Sequence, residues 1–490
     1  MTGKSRNALI FLAACLLIGV GGYYFFDAVK KYAASVTFLS RLAKSKEPRS
    51  HRILVFVHGS FGTTLGLLDL PSVVRDTMSS SGYARKVREM RKDPYFFKTQ
   101  PILERGLVKV EPTFNLDEIG RRGAYPIAGA FQEMAEYAEP GVAENHYYMF
   151  GWSGLMSQRK RRLESIRLYN AISQEVEKFR AVDIEPKVYI YAHSHGGNVV
   201  LNMGALHSII SGEALPDVGE KTANEGVAFL GQVISALPNR DEAEKLEGQK
   251  ILDYKPEKPL SALEMVVMMG MPVQPETDSY VMSPLFNKVY HLYSTADVVQ
   301  VSDWATTCRY YSDQRFDRLR ELCDTNKLRF PSNLTQMRIT LEKNHNAESG
   351  KSVLPAEKKE ESSWWRYLVG STASSEKVID PTHKEFWFVV SRDEGHEINP
   401  FKPLPIVVYL PLILSGMQDY EELTDVEVAA GIKDEDLVFS YYRRGGKEMV
   451  TTSQVPLGFI HQIQDAVYEH RLDKSSIAEE LSIIGKYVRL

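Results

Sequence analysis

The sequence predicts an α/β protein with a mostly parallel central sheet flanked by helices. Three observations carry that expectation. Apolar, β-rich runs alternate with helical patterns beyond residue 50. The runs are continuously apolar and bounded by turn residues, as strands covered on both faces are. One of them, Lys187–Ala192 (KVYIYA), runs into a serine turn and then directly into a helical stretch, NVVLNMGAL.

Ahead of this body, Ala8 to Phe26 carries no charge across 19 residues. As a helix it would be roughly 28 Å long, enough to span a bilayer core. Tyr23, Tyr24, Phe25 and Phe26 fall where an interfacial aromatic belt belongs. A cleaved signal peptide is the rival reading, but no A-x-A-like site ends the run. Leu12-Ala13-Ala14-Cys15 resembles a lipoprotein box, yet the apolar residues after Cys15 suit a continuing helix better. The expectation is a transmembrane helix over 8–26 and a basic linker over 27–50. Lys30, Lys31, Arg41, Lys44, Lys46 and Arg49 outnumber Lys4 and Arg6. The positive-inside rule therefore leans toward a single-pass membrane protein with its body on the cytoplasmic side. The same basic stretch would also suit anionic headgroups.

The first expected strand is Ile53–Val57, ending in His58-Gly59-Ser60-Phe61-Gly62. Residues 70–140 mix Gly, Pro and charge, and read as a cap or a surface excursion. His146–Trp152 is the next strand, followed by an amphipathic helix from Ser157 to Phe179. Then come Lys187–Ala192, Gly226–Leu237, Lys288–Tyr293 and Glu385–Val390, all read as strands, with MRITLE strand-like before His345. Residues 343–380 begin polar and charged and read as an insertion. The apolar run LPIVVYLPLIL is expected to form a closing helix. From Asp419 the chain reads as a helical C-terminal extension over 419–490, with helical spacing in Ser475–Val488. The globular body is accordingly expected over 51–418.

Composition excludes some classes. A formal charge of -4 gives no electrostatic reason for a nucleic-acid partner. Three cysteines, Cys15, Cys308 and Cys323, make neither a disulfide scaffold nor a zinc site. With Cys15 in the apolar run, Cys308 and Cys323 are the one internal pair left.

The chemistry concentrates in Tyr191-Ala192-His193-Ser194-His195-Gly196-Gly197-Asn198. A serine on a tight strand-to-helix turn presents its hydroxyl above the sheet, and the residues two before and two after it must be small. Ala192 and Gly196 meet that demand. The hydroxyl needs an imidazole to take its proton. His193 and His195 lack a carboxylate or cysteine partner at metal-ligand spacing, so no metal is expected there.

The turn A-H-S-H-G resembles the G-x-S-x-G elbow of the α/β-hydrolase superfamily, and its lipase/esterase-like members in particular, with alanine in place of the first glycine. The likeness covers roughly residues 50 to 420. It implies an α/β-hydrolase fold and an oxyanion hole formed by the backbone N–H of Ser60 or Phe61 and of His195. It also implies the chain order serine, acid, histidine. Asp297, just past Lys288–Tyr293, is the expected acid, with Asp303 and then Asp241 behind it. His396 is the first choice of base, then His383, then His345. The implied activity is a membrane-anchored serine hydrolase of carboxylic esters, lipid esters foremost, with no cofactor. A thioesterase or acyltransferase would use the same triad, and a non-catalytic tethered interaction domain is the rival from another class.

Overall fold

The computed structural model describes residues 50–60, 106–114, 124–152, 154, 157–238, 258–297, 299–300, 312–342, 380–387, 399–420, 422–444 and 449–469. The expected span Ala8–Phe26, the linker 27–50 up to its last residue, and Ser475–Val488 lie outside them. No helix among the described residues is long and apolar enough to cross a membrane.

Ten strands form one mixed, mostly parallel sheet. In chain order they are β1 (Ser50–Val57), β2 (Gly106–Val110), β3 (Ala143–Gly151), β4 (Lys187–His193), β5 (Met265–Met269), β6 (Val289–Tyr293), β7 (Leu334–Leu341), β8 (Asp425–Lys433), β9 (Asp436–Arg443) and β10 (Met449–Pro456). Their spatial order is β10-β9-β8-β7-β6-β5-β4-β1-β3-β2. The run from β3 through β1 and β4 to β8 is parallel throughout. β2 is antiparallel at one edge, and β9 and β10 are antiparallel at the other.

Helices cover both faces. Helices α2 (Gln158–Arg180), α3 (His195–Ser211) and α4 (Lys221–Ala236) pack on one another. They bury Ile53, Val55 and Val57 of β1 beneath them. On the other face α1 (Ala124–Ala138), α6 (Ile406–Ser415) and α7 (Leu457–Glu469) cover Leu54 and Phe56. The alternation of β1 side chains between two dry cores is the period-2 geometry of a strand, with apolar residues demanded at every position. The short helix α5 (Asp317–Thr325) sends Leu319 and Cys323 into the first core. The Cys323 thiol is free and buried, and Cys308 lies outside the described residues.

Three expectations need correction. Gly226–Leu237 is not a strand: it belongs to α4, whose buried residues Ala223, Gly226, Leu230 and Ile234 recur every three or four positions. That stripe, with Val227 and Val233 packed beside it, meets the core, so the helical period wins over the apolar content. Full burial of Leu230 and Ile234 contributes about 1.5–3 kcal/mol each. The missing strand is β5, Met265–Met269, a five-residue apolar run too short to stand out. Second, Glu385–Val390 was expected as a strand, and its described part instead lies in a 3-10 turn, His383–Phe386. Third, the stretch from Asp419 is not all helix. β8 to β10 extend the sheet to Pro456 before α7 begins, so the body does not end at 418. The β8–β9 hairpin turns on Asp434 and Glu435, both with positive φ. Hairpin loops of two residues need that conformation and commonly use Gly or Asn, and Lys-Asp-Glu-Asp hides it. The closing helix is found as α6, buried on nearly every side.

Candidate active site

β4 delivers the chain to the site. Ser194 sits between β4 and α3 with φ 51° and ψ −132°. A non-glycine residue there stores about 1–3 kcal/mol of backbone strain, which persists only where neighbours over-determine it. They do. The Ser194 N–H donates to Met269 O at the end of β5 (2.9 Å), and Ser194 O accepts from the Gly197 N–H (2.9 Å). The loop after β1 presses from the other side. A Cβ on Gly196 would stand 2.6 Å from His58 O and 2.7 Å from Val57 O, so only glycine fits two residues after the serine. A Cβ on Gly59 would stand 2.8 Å from the Ser194 Cβ, which places the His58-Gly59-Ser60 loop against the serine.

That loop is held rigidly. His58 Nδ1 donates to Gly59 O (2.7 Å), leaving Nε2 to accept the Trp152 backbone N–H (3.3 Å). The Trp152 indole N–H donates to His58 O (2.7 Å), and the two rings stack. His58 is therefore a brace. Ser60 is described and Phe61 is not. His195 opens α3, where first-turn N–H groups have no partner within the helix and the dipole favours negative charge.

Asp297, the acid expected from the sequence, lies in the loop after β6. Asp297 is fully buried. Its Oδ1 accepts the N–H groups of Val299 (3.1 Å) and Gln300 (3.4 Å), and its Oδ2 accepts from His383 Nδ1 at 2.7 Å. That bond fixes His383 with Nε2 as the basic nitrogen. A Cβ on Gly270, the residue after β5, would fall 2.9 Å from Asp297 Oδ2 and 3.1 Å from His383 Nδ1. Because Ser194 N is bonded to Met269 O one residue earlier, the serine turn and the Asp297–His383 pair both lie at the C-terminal ends of the central strands. The remaining link, Ser194 Oγ to His383 Nε2, is not a hydrogen bond among the described contacts. In unliganded hydrolytic sites this contact is commonly long and tightens around substrate.

His383 was the second-choice base; His396 and His345 lie outside the described residues, as do the alternative acids Asp303 and Asp241. The segment carrying His383 is anchored by groups that no motif announces. Asp380 Oδ2 accepts from Arg338 of β7 (3.0 Å), from the Thr295 N–H (3.1 Å) and from the Thr295 hydroxyl. Ser294 Oγ donates to Pro381 O (2.5 Å). Glu385 Oε2 accepts the Thr382 N–H (2.6 Å), and its Oε1 accepts Asn399 Nδ2 (2.8 Å). The acid loop and the base turn are thus tied to each other as well as to the sheet.

His193, beside the serine, is buried and donates from Nε2 to His383 O (3.1 Å). Its ring stacks on Trp387, interplanar angle 13°, and approaches the His383 ring at 4.6 Å. Burial, and then the neighbouring imidazoles, push it well below the ordinary histidine range, so it stays neutral. Ser194 itself is only 2% exposed. A cleft of about 470 Å³ lies at the other end of the strands, lined by Arg52, Tyr189, Met265 and Tyr290. The chemistry of the strand ends, not the size of that cleft, singles out Ser194. No known protein family, curated protein or solved structure matches the chain.

Proposed function

We propose that the chain is a serine hydrolase acting on carboxylic esters through an acyl-enzyme. Ser194 attacks the carbonyl, and His383 takes its proton and later returns it to the leaving group. Asp297 orients the imidazole and offsets its charge. Backbone N–H groups of Ser60 or Phe61 and of His195 receive the oxyanion. The observation that carries the reading is the 2.7 Å Asp297–His383 bond at the same end of the sheet as a strained serine on a strand-to-helix turn. Strain, a buried acid and a tautomer-fixed imidazole together have no obvious structural use. His383 replaces His396 as the proposed base. In the α/β-hydrolase scheme, a ligand-free fold of this order would present its nucleophile after β4, its acid after β6 and its base after β7.

Lipid esters are the proposed substrates. The support is the apolar run Ala8–Phe26, which would hold the body at a bilayer as a single-pass anchor, with the basic linker favouring its cytoplasmic side. Fluorophosphonate labelling of the full-length chain in detergent tests the reading. Wild type is expected to label, Ser194→Ala and His383→Ala to lose labelling, and His396→Ala to keep it. Folded wild type that does not label would sink the hydrolase reading in favour of a non-catalytic interaction domain. Acyl release to water, a thiol or an alcohol then separates hydrolase from thioesterase and acyltransferase.

A further inference from the structure

The N-terminal ends of β1 and β3 carry a second cluster of chemistry-bearing side chains. Parallel pairing sets His51 opposite Glu144 and Ile53 opposite His146. His51, Glu144 and His146 therefore share one face of the sheet, as cross-strand and next-but-one neighbours. It is the face on which Ile53, Val55, Tyr148 and Phe150 build the core under α2. Along that row apolar residues give way to donor atoms.

The donors converge. His51 Nδ1 lies 3.1 Å from His146 Nε2. Glu144 Oε2 is 3.8 Å from His51 Nδ1, and Glu144 Oε1 is 3.6 Å from His146 Nε2. All the candidate ligand atoms fall within 4.8 Å of one another. One ligand atom from each residue thus faces a common space, and small side-chain rotations would bring the three to the roughly 2.0–2.2 Å of Zn–N and Zn–O bonds. The imidazoles are held for such a role. Their rings stack at 5.4 Å with 10° between planes, and Phe179 from the end of α2 closes on both, edge-on to His146 at 4.8 Å. The histidine side chains are 23% and 16% exposed, and Glu144 is 55% exposed. An ion would thus enter from solvent beside the carboxylate and keep an open position for water.

We propose that His51, Glu144 and His146 bind a divalent transition-metal ion of the zinc class. Two neutral imidazoles with one carboxylate select zinc, copper or nickel over magnesium or calcium, which prefer all-oxygen sets. The ion would pin β1 to β3 at the end of the sheet remote from Ser194. It stands apart from the proposed hydrolysis and does not depend on it.

The test is a Co²⁺ titration of full-length, untagged, chelator-stripped protein in detergent, followed by visible absorption and by displacement with Zn²⁺. One Co²⁺ per chain with the intense bands of a four-coordinate site is expected. His51→Gln and His146→Gln should each weaken binding by more than about 100-fold, and Glu144→Gln by roughly tenfold or more. Circular-dichroism melting of the stripped variants serves as the fold control, and His51→Gln and His146→Gln are two independent variants should one of them misfold. Equal affinity in folded wild type and folded histidine variants would overturn the assignment, as would weak six-coordinate spectra in all of them.

Discussion

The elbow and the base turn hold two parts of one proposed site, yet they are built in opposite ways. The elbow is local: β4, Ser194 and α3 are consecutive, and the strain at the serine is braced by the ends of neighbouring strands. The base turn is assembled from afar. His383 reaches Asp297 only because Asp380, Pro381 and Glu385 are tied to Arg338, Thr295, Ser294 and Asn399. A motif can encode the first kind of construction. The second is encoded by scattered polar residues whose meaning appears only when they meet.

Breaking the acid is expected to have the largest effect. Asp297→Asn keeps the shape but disfavours the tautomer that leaves Nε2 basic, and should lower the rate of fluorophosphonate labelling by about 10⁴-fold with little change in melting temperature. A loss under tenfold would detach Asp297 from the chemistry.

Next comes the elbow's close approach. Gly196→Ala puts a Cβ under 3 Å from two backbone carbonyls that cannot swing away. Overpacking of this kind costs about 1–3 kcal/mol, and the melting temperature should fall while Gly→Ala at the open position Gly231 does not lower it.

The tether of the base turn should respond more mildly. Asp380→Asn removes the charge that holds Arg338 and Thr295, and kcat/KM on a soluble ester should fall roughly tenfold, worth about 1.4 kcal/mol. If the elbow and the base turn were equally local, that substitution would change nothing.

A further effect appears in acid, away from both. His291 of β6 is fully buried, donates to Met271 O (3.3 Å), and is pushed down to about 3, first by burial. Its folded value lies below the unfolded one, so the unfolded chain takes up the proton first as pH falls. Stability contributed by neutral His291 is present above about pH 6.5 and is lost progressively between there and about pH 3, reaching about 2 kcal/mol at pH 5. Denaturant melts of His291→Gln against wild type should therefore converge as pH drops from 7 to 5. Parallel curves would remove His291 from the acid sensitivity.

Half of the ten strands, β1, β3, β4, β6 and β7, were legible in the sequence, because the strands of a parallel sheet covered on both faces are rich in apolar and β-branched residues. Where length and period disagreed with apolar content, as at α4 and β5, the reading failed. The hairpin of β8 and β9 was hidden because its turn uses Asp and Glu in place of glycine. Ser194 could be named because it directly follows β4, and Asp297 could be proposed because it lies in the short loop after β6, so a few residues of local pattern fix their place. The choice among His383, His396 and His345 could not be made that way: β7 ends at Leu341, and a base so far along the chain is positioned by contacts, not by spacing. The sequence by itself determined the α/β class of fold and the strand-to-helix turn at Ser194, which rest on short-range periodicity and backbone crowding. The tertiary structure alone decided which histidine meets Asp297 and that His51 faces Glu144 and His146. Hydrogen bonds and strand register between residues far apart in sequence leave no local pattern to read.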